Sequence, residues 1–183
     1  MIQVKLSRCA FVVIKLQFEG ESYYLMRQDL DWKDVTFIGG HVSKKDNGYI
    51  IRGARRELLE EVPALRTFKY FELRSLTDNI PHGPVYSPSA GCQVKYNLRF
   101  FLLKYTASPK PVLESIGIRS LNILLRQVDL LDPRKYKIAE LVRILDRSIP
   151  GGLQSIPLSW PVDLEDISNF PYPPRGQFEL VLE

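Results

Sequence analysis

The sequence predicts a mixed α/β (α+β) domain over residues 1–149 and a proline-rich extension over residues 150–183. Its 183 residues are 45% hydrophobic and 25% charged, which is typical of a globular domain and excludes a disordered, collagen-like or disulfide-stapled chain. Segments with strand composition are interrupted by two segments of helical period. Six of the 13 prolines fall in the extension, where few segments are periodic.

The first half of the domain contains three predicted strands and a helix. Residues 9–16 are rich in Val and Ile, and residues 23–27 follow them after a turn-like segment, so both are predicted as strands. Residues 35–42 form a third short apolar stretch, and residues 43–48 are predicted as a polar loop. Residues 49–62 then change to helical period, and a proline ends the helix.

The second half contains further strands and a second helix. Residues 68–76 and 94–106 are rich in aromatic residues and are predicted as strands. The intervening residues 78–91 include three prolines and two glycines, which predicts a long, functional loop. Residues 118–131 supply another short strand, and residues 135–149 are predicted as a helix that a Pro-Gly-Gly segment stops.

The extension differs from the domain in charge. It carries five acids and one base, so its net charge is −4, and the net +4 of the chain leaves +8 for residues 1–149. A basic body suits a polyanionic partner, although solubility alone explains such an excess equally well. The extension has too many apolar residues for a free tail, and we predict that it packs along the body or on a partner subunit, which would make a homodimer. These residues are Leu153, Ile156, Leu158, Trp160, Val162, Phe170 and Tyr172.

Two cysteines, Cys9 and Cys92, are present, without the spacing of a zinc site. We predict buried free thiols, which suit a reducing compartment. No apolar run approaches the length of a membrane span, and the first eight residues lack the layout of a signal peptide. The sequence therefore predicts a cytoplasmic protein without a membrane partner.

Three carboxylates share one face of the first predicted helix. At about 100° per residue, Glu57, Glu60 and Glu61 lie opposite the apolar half of the helix. A charged helix face is usually a plain solvated surface. In that case basic residues are expected three or four positions from each acidic residue. Glu60 alone has one, Arg56, in the less favourable order. A hard divalent cation would remove the repulsion, so the spacing leaves two interpretations open: a plain surface, or a Mg²⁺ or Mn²⁺ site.

The segment from Arg56 to Glu61, together with Gly40, resembles the signature of the Nudix hydrolases, Gx5Ex7REUxEExGU, in which U is aliphatic. The REUxEE part matches fully, while fifteen residues rather than thirteen separate Gly40 from Arg56. Asp46 stands sixth after Gly40, at the distance of the signature glutamate, and we expect it to replace that residue. Pro63 occupies the position of the signature glycine.

The resemblance implies an α/β/α sandwich with a mixed sheet and a pyrophosphohydrolase of nucleoside diphosphates linked to another group. It implies Mg²⁺, or Mn²⁺, as cofactor, held by Glu57, Glu60, Glu61 and Gly40. Arg56 would fix a carboxylate through an ion pair. Water would attack a phosphorus of the diphosphate while metal ions neutralise the charge on its oxygens.

The general base and the substrate contacts are less closely defined by the resemblance. Glu60 is the first candidate for the base, and His82 in the predicted loop is the second. Arg27 resembles a strand arginine that faces substrate phosphates, and a surface cation is the other interpretation of it. His41 would brace the loop or touch phosphate. Trp32 lies in a polar stretch, and we predict that it lines the substrate pocket.

Two other classes of function stay open. A nucleotide-binding or regulatory module of the same fold, without turnover, is favoured modestly by the altered loop and the missing glutamate. A nucleic-acid-binding domain is supported by the basic body and the aromatic residues, but the chain lacks a clustered Lys/Arg stripe. We therefore predict a small diphosphate-containing partner and disfavour nucleic acid.

Overall fold

The computed structural model describes residues 4–18, 20–29, 34–66, 71–105, 121–136 and 138–160. The strands in these ranges are β1 (Val4–Val13), β2 (Lys15–Phe18), β3 (Glu21–Asp29), β4 (Asp34–Thr36), β5 (Ile38–His41), β6 (Phe71–Ser75), β7 (Ile80–Ser87), β8 (Cys92–Tyr105) and β9 (Asn122–Arg126). The α-helices are α1 (Ile50–Glu61), α2 (Gln127–Leu130) and α3 (Ala139–Ser148). Short 3-10 turns cover Lys44–Asp46, Pro63–Arg66 and Leu153–Ser155.

The strands form two sheets. The first has the order β5-β1-β8-β6, and β7 also pairs with β8. It is mixed, because β1 and β8 run parallel while their other pairings are antiparallel. The second sheet is antiparallel, with β2, β4 and β9 all paired to β3.

A helix covers each side of the sheets, so the α/β/α sandwich predicted from the sequence is confirmed. Alternation along β1 sends Val12 towards α1 and Val13 towards α3. On the first side Leu58 of α1 is fully buried, and on the second side Val142 and Leu145 of α3 are fully buried. Both sheets contribute side chains to both cores.

The prediction of a loop over residues 78–91 is wrong, because β7 occupies most of that segment. Its residues pair antiparallel with β8, from Ile80 opposite Leu98 to Ser87 opposite Cys92. The register shifts between His82 and Val85, so Pro84 sits at a bulge. Prolines are tolerated at bulges and on outer strands, where no ladder hydrogen bond is lost, and their number misled the prediction.

The other predicted elements exist with changed bounds. The strand predicted over residues 9–16 is two strands, since the ladder breaks at Ile14 between the two sheets. The predicted loop 43–48 contains a 3-10 turn. Of the strand predicted over 118–131, residues 118–120 lie outside the described residues, and the rest contains β9 followed by α2. The second long helix begins at residue 139 rather than 135, after a turn at residues 133–135.

The first part of the C-terminal extension packs on the body. Buried Lys15 donates from Nζ to the carbonyl oxygens of Leu153 and Ile156, both at 3.0 Å. Its backbone exchanges hydrogen bonds with Ser159, and Trp160 lies edge-on to Tyr105 with ring centroids 5.2 Å apart. Residues 161–183 lie outside the described residues, and the division at residue 149 stays a prediction.

Cys9 is buried and Cys92 half-buried, both as free thiols. Burial raises the pKa of the Cys9 thiol to about 11, so it stays protonated at neutral pH. Within the described ranges, none of the helices is long and apolar enough to cross a membrane.

Candidate active site

The candidate site is organised by the guanidinium of Arg56, on the polar face of α1. Its Nε and Nη2 donate to the two carboxylate oxygens of Asp46, at 3.0 and 3.1 Å. Its Nη1 donates to Glu57 at 2.7 Å and to Glu60 at 3.3 Å, and Nη2 also reaches the carbonyl oxygen of His41 at 3.0 Å. One side chain thus ties β5, the following 3-10 turn and α1 together.

Asp46 caps the 3-10 turn Lys44–Asp46 with a buried side chain. Its carboxylate accepts from the backbone N–H of Ser43 at 2.7 Å and from the Ser43 hydroxyl at 3.1 Å, which completes a capping box. The side chain is only 3% exposed. Gly53 of α1 leaves room for it, since a Cβ there would lie 3.3 Å from Asp46 Oδ2. Asp46 therefore joins the loop to the helix, as expected for a replacement of the signature glutamate.

We expect the stability of the fold to depend on the ionisation of Asp46. The Arg56 hydrogen bonds lower its pKa from the ordinary 3.8 to about 2, since they favour the charged form. The stabilisation is therefore full above about pH 4 to 5 and is lost as the pH falls through about 2; it amounts to about 2 kcal/mol. Urea unfolding of the wild type and of Asp46→Asn at pH 7, 4 and 2.5 measures it. Their difference in unfolding free energy should shrink with falling pH, and a constant difference contradicts the assignment.

Glu57 lies against the backbone of Gly40. A Cβ built on Gly40 would meet the Oε1 of Glu57 at 3.1 Å, so the absent side chain leaves the carboxylate beside β5. The Glu57 side chain is 16% exposed, whereas that of Glu60 is 54% exposed. Both carboxylates accept hydrogen bonds from Arg56. The helical-spacing argument missed the Glu57 contact because Arg56 is its neighbour in sequence.

Glu61 is the most enclosed of the three helix carboxylates, at 8% exposure. Its Oε1 accepts from Arg27 Nη1 of β3 at 2.6 Å, and its Oε2 accepts from the backbone N–H of Gly39 at 2.9 Å. Burial outweighs these two hydrogen bonds and raises the pKa of Glu61 to about 7. Arg27 was predicted to contact phosphate, and in this structure it forms an ion pair with Glu61.

The donor set suits a hard divalent cation. Three carboxylates and a glycine backbone supply only oxygen, and the enclosed Glu61 lacks enough positive charge to hold its pKa down. Among the described residues no group of three His, Cys, Asp or Glu side chains converges on one point. Mg²⁺ commonly takes one or two carboxylates and completes its shell with water and substrate phosphates.

The remaining predicted site residues are dispersed. The ring of His41 lies on β5, where its Nδ1 is 2.8 Å from the Ser7 hydroxyl and its centroid is 6.2 Å from that of Tyr96. His82 is half-buried on β7, opposite Tyr96. Strands β8 and β1 lie between β7 and β5, so two strands separate the strand of His82 from the strand of Gly40. Trp32 lies outside the described residues.

Sequence reasoning missed Ser7, and it did not foresee that Tyr96 lies beside His41. Neither stands in a motif, and they reach His41 only through the β1–β5 and β1–β8 pairings. The one available signal was the alternation of polar residues along the start of the first strand, which indicates a face that the core does not cover.

Solved structures share the two-sheet sandwich fold of this chain. NrtR of Shewanella oneidensis, free and complexed with a 27mer DNA, is 12% identical in both cases, with TM-scores of 0.55 and 0.52. The matches cover 75% and 74% of this chain but 60% and 58% of NrtR. The Ap4A hydrolase of C. elegans is 16% identical over 75% of this chain and 94% of its own, with a TM-score of 0.51.

The chain has the Nudix fold, as its motif predicted. NrtR contains a NUDIX domain, which has also been solved with ADP ribose. This chain spans about 60% of the length of NrtR. No family model and no curated protein matches its sequence. At 12 to 16% identity the likeness is one of fold, and the chemistry rests on the residues of the site itself.

Proposed function

We propose that this protein is a Mg²⁺-dependent Nudix-type hydrolase that cleaves the diphosphate bond of a nucleoside diphosphate linked to another group. The observation that carries the proposal is the placement of Glu57 against Gly40 by the Arg56 and Asp46 ion pair. A plain solvated helix face needs neither a buried aspartate nor a glycine beneath a carboxylate.

The roles of the residues follow from their positions. Glu57, Glu61 and the backbone of Gly40 would hold Mg²⁺, with Glu60 at the open side of the same face. Bound there, the cation would neutralise charge on the phosphate oxygens, which is worth several kcal/mol in the transition state. Arg56 keeps Glu57 and Glu60 in place, and Arg27 holds Oε1 of Glu61.

Glu60 is the better candidate for general base. It is on the carboxylate face and more than half exposed, so it can reach a water molecule at the site. His82 is on β7, with two strands between it and Gly40. The geometry supports a base on the helix, and His82 would serve only a substrate that extends across the sheet.

A binding module without turnover is the second candidate, and Glu61 favours it. Both of its oxygens already accept hydrogen bonds, from Arg27 and from Gly39, so a rigid carboxylate position does not require a cation. A regulator that senses a nucleotide needs only such a rigid pocket. NrtR is one protein of this fold that has been solved both with DNA and, as its NUDIX domain, with ADP ribose.

Metal-dependent turnover separates the two candidates. The chelator-treated protein is assayed with Mg²⁺, with Mn²⁺ and without metal against ADP-ribose, a nucleotide sugar, a dinucleoside polyphosphate and a nucleoside triphosphate. We expect phosphate-ester products from at least one substrate only when metal is added. Nucleotide binding by calorimetry without any turnover would instead establish the binding module.

A further inference from the structure

The start of β1 leaves one edge of the first sheet open. Residues 4–7 pair with β8 on one side, whereas the described ladder with β5 covers only residues 9–12. That ladder ends with a hydrogen bond from the N–H of Val42 to the carbonyl oxygen of Arg8. Backbone groups of successive strand residues point to opposite sides, so the N–H and C=O of Leu6 point to the open edge, as those of Arg8 point to β5. Such an edge can accept a further strand.

The two faces of this edge differ in chemistry. Val12 is in the core beneath α1, so Leu6 and Val4 are on the face of α1, and they are 77% and 44% exposed. Val13 is in the core beneath α3, so Lys5 is on the opposite face. Lys5 is exposed and, within the described ranges, forms no ion pair. A lysine alone is typical of a protected edge, but the exposed leucine beside it offers an apolar contact.

Residues 177–183 have a sequence pattern that matches both faces. Apolar side chains at every second position alternate with mostly polar ones, in the order Gln177, Phe178, Glu179, Leu180, Val181, Leu182 and Glu183. In a strand this period of two puts the three apolar residues Phe178, Leu180 and Leu182 on one face and both glutamates on the other. Any register that places the apolar face beside Leu6 therefore places the glutamates on the face of Lys5.

Chain length and charge favour this segment as the occupant of the edge. Residues 161–176 can span roughly 50 Å when fully extended, whereas a body of this size is about 40 Å across. The segment can therefore reach the edge from Trp160. The β1 edge of a second copy is a poorer partner, because antiparallel pairing about Leu6 would bring Lys5 and Arg8 of both copies together, and like charges on paired strands repel.

We propose that residues 177–183 dock on the open edge of β1 as an added strand of the same molecule. The apolar face of the segment covers Leu6 and Val4, and its two glutamates lie on the face of Lys5. The added strand lies end to end with β5, so it extends the first sheet beside the strand that contains Gly40. The docking requires neither a metal ion nor turnover.

Amide hydrogen exchange tests the docking in the full chain and in a chain shortened to residues 1–176. The shortened chain keeps the contacts of Lys15 and Trp160, so it should fold. We expect NMR to show exchange of the Leu6 N–H at least about 10-fold faster after shortening. The Ser7 N–H points to β8 and serves as an internal reference that should change less than about 2-fold. Leu180→Asp in the full chain should have the same effect as the truncation.

Charge reversal tests how the faces match. Lys5→Glu should speed exchange of the Leu6 N–H by about 3-fold, and adding Glu179→Lys and Glu183→Lys should restore the slow rate. Arg143→Glu, at an exposed position of α3, is the control and should leave that rate unchanged. Equal Leu6 exchange in the full chain, the shortened chain and Leu180→Asp would overturn the proposal. Protection of Leu6 that grows with protein concentration would also overturn it, since the strand would then come from a second copy.

Discussion

Glu61→Gln is expected to lower kcat for Mg²⁺-dependent hydrolysis at least about 100-fold, which corresponds to about 2.7 kcal/mol of transition-state stabilisation. The amide has the shape of the carboxylate but lacks its charge and has a single acceptor oxygen, so it keeps one of the two hydrogen bonds from Arg27 and Gly39 and loses its attraction for the cation. Steady-state kinetics at saturating substrate measures the effect.

The same variant should still fold. Burial already disfavours the charged form of Glu61, so the loss is about that of one hydrogen bond, and we expect the melting temperature to fall by only a few degrees. Glu140→Gln, at an exposed position of α3, is the matched control and should alter neither activity nor stability. Full turnover by Glu61→Gln would exclude this side chain from metal binding.

Arg56→Lys is expected to destabilise the fold by about 2 to 3 kcal/mol and to lower the melting temperature by roughly 5 to 10 °C. A lysine is a single point charge and cannot replace the two parallel hydrogen bonds to Asp46. It therefore leaves part of a buried carboxylate unpaired, and it also releases Glu57 and Glu60. Chemical unfolding at pH 7 measures the loss.

Two further proteins make this test specific. Arg52→Lys on the same helix loses only a contact over the Tyr49 ring, and we expect a change below about 0.5 kcal/mol. Asp46→Asn combined with Arg56→Lys should cost clearly less than the sum of the single changes, because both remove one interaction. Simple additivity of the two changes would show that the ion pair is not the unit that holds the loop to α1.

The sequence was most informative where a pattern was local. The carboxylate face of α1 follows from helical spacing alone, and the helix was predicted to within a residue at each end. β7 was missed because its prolines are typical of a loop. Only its pairing with β8, which lies later in the chain, makes the segment a strand. A strand whose place depends on a distant partner leaves a weak signal in its own residues.

The site shows the same limit. Arg56 was expected to fix a carboxylate, and the structure adds Asp46 as its main partner ten residues away. The Arg27 contact to Glu61 depends on how β3 packs against α1, and no spacing along the chain predicts it. Long-range pairs of this kind are specified by the fold as a whole rather than by a motif.

The burial of Lys15 limits how far this protein can be truncated from its C-terminal side. Its ammonium group is kept inside the protein by two carbonyl oxygens that belong to residues 153 and 156, and Trp160 fills the core next to them. A fragment ending at residue 149 would lose these two hydrogen bonds, expose the Lys15 ammonium group to water and leave an open apolar surface. The shortest autonomous folding unit therefore extends to at least residue 160, and expression of a trimmed domain should start from that boundary.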